Sequence, residues 1–277
     1  MTINCNGELI DLSVPKVMGI LNLTPDSFFD GGKYQNQKTI LKHVEKMLAE
    51  GATFIDIGAY SSRPDAIDIT EEEELKRIVK TVTVISKEFA GAILSIDTFR
   101  SKVAKECLDH GATMINDISS GQLNLEMFDV VAKYQVPYIM MHMKGTPQNM
   151  QDHTEYQDLV RDMAYYFSER INIAQSKKIN DVIIDPGFGF SKTLAQNYHL
   201  LANLDFFSNL DVPILVGLSR KSMLYKLLKN NPEEALNATT AMHAVALLKG
   251  AHILRVHDVK EAVECVNLMG ALSANKD

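Results

Sequence analysis

The chain has 277 residues, 46% hydrophobic and 23% charged, which is enough for one large α/β domain with a full core. Its formal net charge of −7 and pI near 5.6 argue against a nucleic-acid partner, which favours a basic face, but leave room for a local basic pocket that holds a small anion. Cys5, Cys107 and Cys265 form no paired motif and speak against a disulfide framework or a thiolate metal site.

The N-terminal residues lack a basic region followed by an apolar run, and no stretch is long enough to cross a bilayer, so a cytoplasmic chain is expected. Residues 3–11 place Asn6-Gly7 between short semi-apolar arms and predict a β-hairpin plugging one end of the domain. Strand and helix patterns then alternate. Strands are predicted at 17–23, 54–59, 93–97, 114–118, 137–141, 182–185, 213–217 and 252–256. The helices between and after them are expected at 37–50, 71–89, 101–109, 125–134, 156–177, 194–207, a short one from 222, 232–249 and 260–271. Gly51 and Gly111 stop two of them. Eight β-α units whose strands read as short, doubly buried apolar runs predict a (β/α)₈ TIM barrel behind an N-terminal β-hairpin, with no linker dividing 1–277.

In such a barrel the C-terminal strand ends share one mouth. They carry Asn22, Asp56, Asp97, Asn116 with Asp117, His142, Asp185, Ser219-Arg220-Lys221, and Arg255 with His257. Arg255 and His257 are two apart and point to one side of an extended segment, so with Asn22 they suit a polyanion, with or without a divalent cation. Asp97, Asn116 and Asp185 offer acceptors and an amide for a hydrogen-bonding heterocycle, and Lys221 adds donors. Ser222 at a helix start sets a hydroxyl beside free backbone N–H groups, which suits a carboxylate. Plainer roles compete at each position. A strand-end Asp caps a following helix, His142 orients a loop, Met140, Met141 and Met143 belong to a core, and Glu71 to Glu74 form a solvated helix start. The set favours function, because nearly every strand end is polar.

The motifs resemble those of the dihydropteroate synthase family, which joins a pterin to 4-aminobenzoate in folate biosynthesis. They are Gly19-Ile20-Leu21-Asn22-Leu23-Thr24-Pro25-Asp26-Ser27-Phe28, Ser61-Ser62-Arg63-Pro64, Ser95-Ile96-Asp97-Thr98, Ile115-Asn116-Asp117, Met141-His142-Met143-Lys144-Gly145-Thr146-Pro147, Asp185-Pro186-Gly187-Phe188-Gly189-Phe190, Gly217-Leu218-Ser219-Arg220-Lys221-Ser222 and Arg255-Val256-His257-Asp258-Val259. The resemblance implies a transferase that binds the pterin with Asp97, Asn116, Asp185 and Lys221. By the same resemblance Asn22, Ser62, Arg63, Arg255 and His257 hold the pyrophosphate, Asn22 meets its Mg²⁺, and Phe28, Ser62, Pro64, Phe190 and Ser222 form the aminobenzoate site. Asp26, Asp30, Arg63 and Lys221 take the catalytic roles, and a homodimer is expected. Departures from the family pattern fall at Ala59, Tyr60, Asp65 and Ser191. A methyltetrahydrofolate-dependent methyltransferase and a non-catalytic pterin-binding paralogue are the alternatives. A Schiff-base aldolase is disfavoured because Lys221 falls beyond its strand, and a metal-dependent hydrolase because no HxH or HExxH motif appears.

Overall fold

A computed structural model of the chain describes residues 1–23, 37–62 and 68–275. The hairpin pairs β1 (Thr2–Cys5) with β2 (Glu8–Asp11) antiparallel. Its turn residues Asn6 and Gly7 both have positive φ, 53° and 91°, which an Asn-Gly turn of the primed type requires.

The remaining strands are β3 (Lys16–Asn22), β4 (Phe54–Gly58), β5 (Ile93–Asp97), β6 (Met114–Asp117), β7 (Tyr138–Met141), β8 (Val182–Asp185), β9 (Leu215–Val216) and β10 (Ile253–Val256). They form one sheet ordered β8-β7-β6-β5-β4-β3-β10-β9, with every pairing parallel. A bridge between Ile184 and Ile214, with Ile184 N–H donating to the Pro213 carbonyl at 2.9 Å, nearly closes the ring between β8 and β9. The fold is therefore the expected (β/α)₈ barrel.

Around it run α1 (Gln37–Ala49), α2 (Glu71–Glu88), α3 (Ser101–Asp109), α4 (Met127–Tyr134), α5 (Leu159–Ser176), α6 (Leu194–Ala202), α7 (Ser222–Leu228), α8 (Leu236–Leu248) and α9 (Val259–Ala274). Two predicted helices are interrupted. The one expected at 194–207 breaks at Asn203 into a 3₁₀ turn over Leu204–Leu210, and that expected at 232–249 begins as a 3₁₀ turn over Pro232–Glu234. Pro at the start of a helix fixes φ but removes a donor, and Asn231 caps Glu234 N–H there. The helix expected from 156 starts at Leu159, where the Asp158 side chain accepts from Arg161 N–H.

Strand alternation sorts the core into two layers. Val17, Ile55, Ile57, Leu94, Ile96, Ile115, Met140, Ile184 and Val216 face outward and pack under the helices. Gly19 allows α1 to lie close, since a Cβ there would meet Met47 Sδ at 2.7 Å. Met18, Phe54, Ile93, Met114, Ile139, Ile183, Leu215 and Ile253 face inward and form a separate cluster with Ile3, Cys5, Ile10 and Leu12 of the hairpin. The hairpin thus seals the N-terminal end, at roughly 1.5–3 kcal/mol for each large apolar side chain buried. One step up each strand the inward positions become polar. That change marks the mouth.

Candidate active site

The inward positions above the apolar plug are Ile20 and Asn22, Asp56 and Gly58, Ser95 and Asp97, Asn116, Met141, Asp185, Gly217, and Arg255. Register places Asn22 beside Gly58, Gly58 beside Asp97, and Asp97 beside Asn116. The Cβ position of Gly58 lies 3.5 Å from Asp97 Oδ2 and 3.7 Å from Asn22 Oδ1, so the absent side chain leaves those two groups facing each other.

Asp56 has no exposed surface. Its Oδ1 accepts from Ser95 Oγ at 2.6 Å, and its Oδ2 accepts from Asn116 Nδ2 at 3.0 Å and Arg255 Nε at 2.6 Å. Arg255 Nη2 donates to Asp97 Oδ2 at 2.7 Å. Burial pushes the Asp97 carboxyl up to about 7, against the pull of Arg255 and with the charge of Asp56 adding to the rise. Burial also works against the Arg255 charge, but Asp56 and Asp97 outweigh it and raise that pKa above the usual value. Arg255, expected to face an anion, is therefore committed through two nitrogens to carboxylates. Asp56, noted only as a strand-end residue, is the hub.

Across the mouth, Asp185 and Lys221 approach one point, since a Cβ on Gly217 would lie 3.8 Å from Lys221 Nζ and 3.9 Å from Asp185 Oδ2. Asp185 is buried, its pKa is raised by burial, and Lys221 is its principal charge partner. Burial lowers the Lys221 ammonium to about 8, with Asp185 opposing the shift. Lys221 donates to the Phe188 carbonyl and lies 4.8 Å from the centre of the Phe190 ring. Phe190 and Phe99 flank an apolar wall of Ile118, Met141, Met143 and Met150. A flat polar ring between Asp185, Asn116 and Lys221 finds donors, acceptors and an apolar side surface together.

The other expected site residues are distributed as follows. His257 is exposed just past β10, where Ser219 Oγ meets its Nδ1 at 3.0 Å and accepts from its backbone N–H at 3.1 Å. Ser222 is the first residue of α7, directly after Lys221, and Ser62 lies past the end of β4. Asp26, Phe28, Asp30, Arg63, Pro64 and Asp65 lie outside the described residues. Asp117 points outward, not into the mouth. Its carboxylate accepts from Ser119 N–H, Gly121 N–H and the Tyr138 hydroxyl. Arg220 is structural, in the left-handed region with φ 54°, and pairs both oxygens of Asp258 at 2.8 Å.

Glu74 corrects the reading of Glu71 to Glu74 as a solvated helix start. It is fully buried, accepting from Thr98 Oγ1 and Arg100 Nη1 at 2.7 Å each. Tyr60, one of the departures from the family pattern, stacks edge-on against Phe99 under the Arg100 guanidinium and accepts from Gln148 Nε2 at 2.7 Å. Ser191 takes φ 51°, and its hydroxyl accepts from Lys144 N–H at 2.8 Å and donates to the Lys144 carbonyl at 2.9 Å. Its side chain thus adds two bonds that a glycine could not make. No group of three or more His, Cys, Asp or Glu among the described residues could hold a metal ion, and no described helix is long and apolar enough to cross a membrane.

A model of the pterin binding enzyme family matches residues 18–257. The chain is 41% identical to the dihydropteroate synthase of Escherichia coli strain K12, over all of this chain and 98% of that protein. It is 41% identical to the Haemophilus influenzae dihydropteroate synthase over 94% of each. Among solved structures, Yersinia pestis dihydropteroate synthase with a sulfonamide drug complex superposes with a TM-score of 0.94 at 43% identity, covering 99% of this chain and all of that one. The Thermus thermophilus enzyme in complex with 4-aminobenzoate gives 0.89 at 34% identity, covering 98% and 100%.

Proposed function

The chain belongs to the pterin-binding enzyme family, and we propose that it catalyses dihydropteroate synthesis from 6-hydroxymethyl-7,8-dihydropterin pyrophosphate and 4-aminobenzoate. The observation that carries this reading is the facing set of Asp185, Asn116 and Lys221 beside the Phe190 wall, which matches a flat heterocycle with alternating donors and acceptors. The methylene carbon–oxygen bond breaks as pyrophosphate leaves with the electron pair, and the arylamine nitrogen forms the new bond and then loses a proton.

Asp97, Asn116, Asp185 and Lys221 bind and orient the pterin. The carboxylates of buried Asp185 and half-buried Asp97 offer negative charge to the positive charge that develops on the ring and its methylene. Asn22, Ser62, Arg63 and His257 take the pyrophosphate, and Arg255 adds its positive field from its place between Asp56 and Asp97. Phe28, Ser62, Pro64, Phe190 and Ser222 receive the aminobenzoate, and Asp26, Asp30 and Arg63 act at the reacting ends. Asn22 would offer an amide oxygen to a Mg²⁺ accompanying the leaving group, and such an ion would supply positive charge against the departing pyrophosphate.

The protein works in the cytoplasm as a homodimer on this reading. Exposed Leu248 on α8 and Leu268 and Leu272 on α9 supply apolar surface for a second copy. The decisive assay is pyrophosphate release. It should require both the pterin substrate and 4-aminobenzoate, and release that ignores the arylamine would refute the assignment.

A further inference from the structure

Lys192, in the loop between β8 and α6, is only 3% exposed. Its ammonium donates to the Gly187 carbonyl at 3.0 Å, to the Phe190 carbonyl at 2.9 Å, and to His142 Nδ1 at 3.2 Å. A lysine ammonium has three N–H groups, and these contacts use all of them. None is made to a carboxylate, so the charge is buried among neutral acceptors.

The acceptors form a pattern. Lys192 holds the carbonyls of residues 187 and 190 from behind, and Lys221 holds that of Phe188 from the mouth side. The strip between the two lysines carries Phe190 and starts from Asp185, whose Oδ1 accepts from Gly187 N–H at 2.8 Å. The strip also fits closely against β7. His142 N–H donates to the Asp185 carbonyl at 3.0 Å, and a Cβ on Gly187 would come within 2.3 Å of the His142 carbonyl oxygen. Burial, with the charges of Lys192 and Lys144, holds the His142 pKa well below the ordinary value, so the ring is neutral and its Nδ1 can accept.

We propose that Lys192 is a positioning residue of the pterin site, tying the 187–190 strip to His142 and adding positive charge to that of Lys221 on the Asp185 side of the mouth. This inference rests on the pterin reading of the mouth. The charged and titratable groups facing this centre are Asp185 on β8, His142 and Lys144 beyond β7, and Lys221 before α7, while Tyr156 and Tyr166 lie against the His142 ring. Burial pulls Lys192 down to about 7, with Asp185 opposing the shift, and Lys192 in turn favours the ionised form of Asp185. Lys192 is therefore protonated below about 7, and its charge there opposes protonation of Asp185.

The test compares the full-length chain with Lys192→Gln, which keeps an amide donor but no charge, and Lys192→Met, which keeps neither. Thermal unfolding establishes that each is folded, and calorimetry measures the binding of 6-hydroxymethyl-7,8-dihydropterin from pH 5.5 to 8. The native chain should bind nearly uniformly over that range. Lys192→Gln should lose affinity progressively as pH falls toward 5.5 and approach native affinity by pH 8, as expected when loss of a positive charge raises the Asp185 pKa. Lys192→Met should be weaker at every pH and show the same slope. A folded Gln variant with a flat profile, or a Met variant within twofold of native, overturns the proposal.

Should neither variant fold, the same coupling is read from the other side, because linkage is reciprocal. The Lys192 ammonium resonance in a ¹⁵N-lysine-labelled chain, assigned by its proximity to the His142 ring, should titrate at lower pH in Asp185→Asn than in the native chain. An unchanged midpoint refutes the coupling. If the native chain binds no pterin while that midpoint moves, the pterin reading fails and the Lys192–Asp185 coupling stands.

Discussion

Arg255 Nε, on the last barrel strand, donates to Asp56 Oδ2, on the second, at 2.6 Å, joining residues 199 apart in sequence. The same carboxylate accepts from Ser95 and Asn116, so one buried side chain ties together four strands. Asp56→Ala would leave the guanidinium and two polar groups without their shared acceptor. We expect a loss of about 3–5 kcal/mol in unfolding free energy, the range for breaking one partner of a buried ion pair. A urea titration showing less than about 1 kcal/mol would mean that water replaces the carboxylate freely.

Asp185 sits on the opposite side of the mouth, where its Oδ1 accepts from Gly187 N–H, leaving acceptor capacity for a ligand. Asp185→Ala should weaken binding of the pterin by about 2–4 kcal/mol, because buried ring donors lose a charged acceptor. Unchanged kcat/KM for this variant would remove Asp185 from the site.

Much of this arrangement is written in strand periodicity. Residues two apart share a face, so Phe54 in the plug predicts Asp56 inside, and Ile93 predicts both Ser95 and Asp97. The same parity turns Asp117 outward beside the inward Asn116, and its bonds to Ser119, Gly121 and Tyr138 bear this out. What periodicity does not carry is partner choice. Arg255 has the spacing of an anion ligand with His257, yet in the folded chain it lies between two carboxylates from strands 158 and 199 residues away. Lys192 has no sequence signature, because a loop lysine is ordinarily exposed and only the close approach of His142 and Gly187 buries it. Glu74 is hidden in the same way within a run of four glutamates, since its burial depends on Arg100 from the following β-α unit.

His257 offers a second test of the anion assignment, because it is exposed just past β10. Ser219 Oγ at its Nδ1 fixes the ring edge. His257→Ala should reduce affinity for the pterin pyrophosphate by about 1.5–3 kcal/mol, the scale of one hydrogen bond to a charged group, and leave the bare hydroxymethylpterin within twofold. Equal losses for both ligands would place the pyrophosphate elsewhere.

Lys221 gives a pH test in which binding and stability move in opposite directions. Burial lowers its ammonium from the ordinary 10.5 to about 8, partly offset by Asp185. As a donor to the pterin it acts when protonated, so pterin affinity should fall as pH rises through about 8. Stability follows the reverse sign. Between about 8 and 10.5 the unfolded chain binds the lysine proton and the folded chain does not, so this group makes the fold more stable as pH rises through that window. Lys192, also depressed by burial, acts in the same sense from about 7 upward. Lys221→Gln should therefore remove the alkaline fall in pterin binding and also reduce the gain in unfolding free energy over the same range. Calorimetric binding and urea unfolding, each at several pH values from 7 to 10, measure the two slopes separately. If binding weakens at alkaline pH only because the fold loosens, both curves will fall together in the native chain and in Lys221→Gln alike, and the assignment of Lys221 as the pterin donor fails.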